Sequence, residues 1–75
     1  MTINDLKNRI YNIRFRSYGH FSYTLEYRGK KYDCVTNDTI SIDRIIYADN
    51  YSGNSGLRQA YMSLYENGVR NYVKS

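Results

Sequence analysis

His20 is the chain's only histidine and Cys34 its only cysteine. An imidazole working as a general base wants a carboxylate to orient it. A nucleophilic thiol wants a neighbouring base or a helix N-terminus to lower its pKa. Glu26 and Asp33 fall on the same predicted hairpin as His20, but no spacing sets either against it. His20 therefore reads as a surface histidine and Cys34 as core filler. One Cys and one His do not complete a tetrahedral zinc site, and a lone Cys closes no intrachain disulfide. Asp33, Asp38, Asp43 and Asp49 lack the alternating oxygen ligands and closing Glu of a calcium loop. The glycine-rich stretch Tyr51 to Gly56 precedes a helix start, which can attract an anion. It lacks the G-x-x-x-x-G-K-[ST] pattern, and its Lys above all, and reads as a linker. No catalytic constellation remains, so the expectation is a protein that is not an enzyme and uses no metal or cofactor.

What the chain does have is cation and tyrosine. The formal charge is +4, seven of the eleven basic residues are Arg, and there are ten tyrosines with no tryptophan. A positive chain favours acidic partners, and Tyr suits both a small core and an interface. Two partner classes follow. For nucleic acid, Lys7, Arg9, Arg14 and Arg16, then Tyr18, then Arg28, Lys30 and Lys31 could meet phosphates while exposed rings stack on bases. Asp33, Asp38, Asp43 and Asp49 interrupt that positive surface. For a protein partner, Arg58, Tyr61, Tyr65 and Tyr72 offer interface anchors on the last helix; the plainer alternative is that Tyr61 and Tyr65 pack on the hairpin. With 75 residues, no disulfide and no metal, a homodimer is a further way to bury enough surface.

The elements that must place these residues are short. Thr2 can cap a first helix with Asp5 at its third position. Ile3, Leu6, Ile10 and Ile13 recur at helical spacing, and this helix is expected to end between Ile13 and Ser17. From His20 to Arg28 the residues alternate, with Phe21, Tyr23, Leu25 and Tyr27 on one face of a strand. Arg28, Gly29 and Lys30 make a turn, and a return strand from Lys31 to Thr36 puts Tyr32 and Cys34 inward. Asn37 to Thr39 reads as a turn or cap. Residues 39 to 49 read as a helix through Ile42, Ile45 and Ile46, although their β-branched content also suits a third strand. Asn50 to Gly56 reads as a loop, with Ser55 capping a last helix. Leu57, Ala60, Tyr61, Leu64, Tyr65 and Tyr72 form that helix's apolar arc, and it is expected to run to about Val73 with a weak point at Gly68. There Gly68 either ends the helix or lets another element approach closely.

The expected fold is a single α+β domain over residues 1–75, in the order α-β-β-α-α. A two-stranded antiparallel hairpin packs against the N- and C-terminal helices. This order resembles in outline the double-stranded-RNA-binding domain. That family's last helix opens on a basic patch, whereas Arg58 is the only charge nearby here; the chain is not assigned to the family and no function is taken from it. No apolar run approaches the roughly 18 residues of a membrane span, and none marks a targeting signal. The expected setting is cytoplasmic, the expected role a protein-binding or self-associating module, and nucleic-acid binding the alternative.

Overall fold

The computed structural model describes residues 1–47 and 54–73, the side chains of Asn54 and Ser55 excepted. Helix α1 spans Ile3–Arg9. Strands β1 (Ile10–Ser17), β2 (His20–Tyr27) and β3 (Lys30–Thr36) follow, then helices α2 (Thr39–Ile46) and α3 (Asn54–Gly68) and a π-helical turn, Val69–Val73. The strands form one antiparallel meander in the order β1-β2-β3.

α1 begins as its residues require. Thr2 Oγ1 accepts from the Asp5 N–H at 3.2 Å, and the Thr2 N–H donates to Asp5 Oδ2 at 3.1 Å. This reciprocal pair satisfies two N–H groups that the helix start would otherwise leave open. The Thr2 N–H bond is the main reason the Asp5 carboxyl titrates below its usual range.

The helix then ends at Arg9, not between Ile13 and Ser17, and the sheet has three strands, not two. The reason lies in Asn12, whose φ of 57° is left-handed. Ile10 pairs with Leu25 and Tyr11 with Thr24, but Arg14 pairs with Ser22. The extra residue between them is a bulge. In a regular strand, positions three apart face opposite sides; the bulge resets the alternation, so Ile10 and Ile13 both reach the core. Their spacing of three imitates a helix. Gly19, at φ 78°, turns β1 into β2, and Arg28 and Gly29, both at positive φ, turn β2 into β3.

Tyr23, Leu25 and Cys34 point inward and meet Leu6, Ile10, Ile42, Tyr61 and Leu64 in one buried cluster. The alternate residues, among them Arg14, Ser22, Thr24, Asp33 and Val35, form the sheet face turned away from that core. α2 takes the expected helical form. Asp38 caps it, accepting from the Ser41 N–H at 3.1 Å and the Ser41 hydroxyl at 2.7 Å. Ile42 is buried and Ile45 packs on the core, while Ile46 is exposed. Asp49 and most of the expected loop from Asn50 lie outside the described residues. α3 starts at Asn54, so Ser55 lies inside the helix and not before it.

Gly68 is buried against the sheet. A Cβ there would stand 2.6 Å from Leu25 Cδ2 and 3.3 Å from Cys34 Sγ, so the glycine serves close approach. One turn earlier, the Leu64 carbonyl accepts the Tyr23 hydroxyl at 2.7 Å. Asn67 Nδ2 donates to the same Tyr23 oxygen at 2.8 Å and to the Val35 carbonyl at 3.3 Å. A carbonyl drawn towards a side chain loosens the helical ladder, and the wider π turn begins just beyond it. Tyr23→Phe removes the hydroxyl that ties β2 to α3. The expected cost is about 1–2 kcal/mol, read as a fall in Tm of roughly 4–8 °C per kcal/mol in a domain of this size.

Candidate interaction surface

The two edges of the sheet end differently. At the β3 edge, the Val35 N–H donates to the Tyr72 hydroxyl at 3.0 Å. The Val35 carbonyl accepts from Tyr72 at 3.3 Å and from Asn67 at 3.3 Å. The π turn and the end of α3 therefore occupy the place of a fourth strand, which is one way a protein blunts a sheet edge.

Among the described residues, the β1 edge has no strand beyond it. Its backbone direction follows from the register. Val35 turns its polar groups away from β2, so its partner Ser22 turns its own towards β1. Ser22 faces Arg14, and alternation then points the N–H and C=O of Phe15 out of the sheet. The Phe15 side chain is 66 % exposed and meets Phe21 edge-on, with ring centroids 5.7 Å apart and planes at 75°. Tyr18, on the adjoining turn, is 96 % exposed. Arg14 and Arg16 lie on the other side of the strand, beside a groove of about 330 Å³ whose walls include Asn12, Ser22, Thr24 and Asp33.

The structure scatters the basic residues read for nucleic acid. Arg14, Arg16 and Tyr18 fall together on β1 and its turn. Lys7 and Arg9 end α1, and the Arg9 guanidinium donates to the Asp5 carbonyl at 3.2 Å. Arg28 lies over the Tyr27 ring, 5.2 Å from its centroid, and shares a second hollow with Asn8, Arg9, Glu26 and Gly29. Lys30 and Lys31 are exposed where β3 begins. Glu26 stands among these cations and accepts the Tyr11 hydroxyl, which raises the phenol's pKa.

The four residues read for a protein partner do not make one exposed patch. Tyr61 is buried, and burial raises its pKa. Tyr65 packs against Tyr27 with centroids 6.0 Å apart, and Tyr72 holds the β3 edge. Arg58 is exposed, its Nε donating to the Met1 carbonyl at 3.1 Å. Sequence reasoning missed Phe15. The signal was the run Ile13-Arg14-Phe15-Arg16, which alternates apolar and basic residues with a period of two and leads into Tyr18-Gly19.

His20 is exposed, with Nδ1 3.3 Å from the Tyr18 carbonyl. Cys34 is fully buried, and burial pushes its thiol up to about 11. Among the described residues, no three His, Cys, Asp or Glu side chains gather as metal ligands, and no helix is long and apolar enough to cross a membrane.

Among the described residues, these features make a small α+β domain with a three-stranded meander, its β3 edge met by Tyr72 and its β1 edge met by no further strand. Compared with protein-family models, curated proteins and solved structures, the chain matches none. With no solved structure matching and no basic cluster opening α3, the chain is not assigned to the double-stranded-RNA-binding domain.

Proposed function

We propose that this chain is a non-enzymatic protein-binding module that meets its partner along the β1 edge and the β1–β2 turn. The observation that carries this is the asymmetry of the sheet. Tyr72 and Asn67 satisfy Val35 on the β3 edge, while β1 keeps an exposed Phe15 beside outward backbone groups and a fully presented Tyr18. An extended segment can add to such an edge, its main chain supplying affinity and its side chains specificity. A peptide library displayed on phage and selected on the purified chain tests this. Selected peptides should lose about tenfold or more in affinity, about 1.4 kcal/mol, on Phe15→Ala, while Tm stays within a few degrees. Peptides indifferent to both Phe15→Ala and Tyr18→Ala would place binding elsewhere.

The alternative, nucleic-acid binding, is favoured by one observation, the pair Arg14 and Arg16 beside the outer-face groove. Two phosphate contacts give a log–log salt slope of only about −2. Titration with single- and double-stranded DNA and RNA is expected to show binding at low salt alone. Binding near physiological salt, reduced by neutralising both arginines, would promote this alternative over the protein partner.

A further inference from the structure

The chemistry of the partner segment can be drawn from the side chains of β1, given the edge-binding proposal on which this step rests. We infer that the segment is an acidic extended strand, with carboxylates at alternate positions and an apolar residue between them. A strand paired at Phe15 sets the residue opposite Phe15 on the Phe21 side of the sheet. Its two neighbours then stand on the other face, against Arg14 and Arg16. Arg prefers a carboxylate partner and can hold it with two parallel hydrogen bonds. Opposite charges across a strand pair stabilise it, and like charges oppose it.

The same charges argue against a second copy of this chain. Two antiparallel β1 strands joined at Phe15 would gather four guanidiniums on one face, in a chain already carrying +4. The bulge between Tyr11 and Arg14 and the register shift between Phe15 and Ser17 limit the straight part of the edge. The matching segment is therefore short, centred on one apolar residue flanked by two acids.

The test uses the full chain and two short synthetic peptides, one alternating Glu with Val and one alternating Lys with Val. Affinity is read by NMR titration of the backbone amides. The Glu peptide should bind about tenfold or more tightly than the Lys peptide, with the largest shifts from Arg14 to Ser17. In the doubly substituted Arg14→Glu, Arg16→Glu chain the preference should reverse. Both arginines are exposed, so the substitution spares the core. Equal binding of both peptides at β1 would overturn the acidic partner and leave the edge proposal standing. Binding of neither would overturn both. Shifts confined to Lys7, Arg9 and the Arg28 turn would move the acidic site off β1. A thymidine oligonucleotide that outcompeted the Glu peptide at Arg14 and Arg16 would replace the peptide by nucleic acid.

Discussion

Gly68→Val is expected to destabilise the fold by about 3 kcal/mol, and Gly68→Ala by about 1 kcal/mol. Two effects compete. Replacing a helical glycine with alanine returns about 1 kcal/mol of helix propensity. Against it, the new Cβ would lie 2.6 Å from Leu25 Cδ2 and 3.3 Å from Cys34 Sγ. Both neighbours are fully buried, so neither side chain has open space to move into, and overpacking of this kind costs about 1–3 kcal/mol. Alanine sets that gain against a clash of about 2 kcal/mol, the middle of that range, and nets a loss of about 1 kcal/mol. Valine adds two methyl groups and loses rotamer freedom in the helix, so the clash dominates. Denaturant midpoints at constant m-value give both numbers. Adding Leu25→Ala should recover part of the Gly68→Ala loss, because the two sites share one contact and cannot be additive. A valine variant as stable as the parent would mean that α3 does not approach the sheet this closely.

Raising the pH from about 9 to 11 is expected to remove about 2 kcal/mol of stability through Cys34 alone. The buried thiol titrates at about 11, against an ordinary value of 9.0. Between those values the unfolded chain has released the proton and the folded chain retains it. Folding then takes up a proton, so stability falls as pH rises through this window, and below pH 9 the contribution is intact. Burial also raises the Tyr23 phenol above its ordinary 10.0, which continues the decline at higher pH. Stability curves for the parent and Cys34→Ala should converge between pH 9 and 11, even though the alanine chain starts lower for want of the sulfur's packing. Curves that stay parallel would show that Cys34 reaches solvent in the native state.

Much of the fold was legible because local chemistry and tertiary packing agree there. Thr2 and Asp5 announce the start of α1, the alternation from His20 to Tyr27 announces β2, and Asp38 announces α2. β1 was hidden by its bulge. With Asn12 left-handed, Ile10 and Ile13 face one side at a spacing that also fits a helix turn, so periodicity alone could not choose. Capping could not help either, since α1 closes on Ile10 and has no terminal glycine. The surface was legible in part. Arg14, Arg16 and Tyr18 stand out by type and fall on one strand and its turn, but only the sheet order makes that strand an edge. Tyr72 reads as an interface residue from its type and position, and the structure spends its hydroxyl on Val35. That contact joins positions 37 residues apart, beyond what local spacing reports.

Native-state amide hydrogen exchange at Phe15 and Val35 tests the open and closed edges most directly. Both residues lie on outer strands of the same sheet, one with its N–H directed outward and the other with its N–H bonded to Tyr72. In dilute solution Phe15 should exchange at least about tenfold faster than Val35, as an unpaired N–H should beside a bonded one. Tyr72→Phe should bring Val35 close to the Phe15 rate while the core amide of Leu25 keeps its protection. A Phe15 amide as protected as Val35 in the free chain would contradict the open edge, and with it the proposed surface.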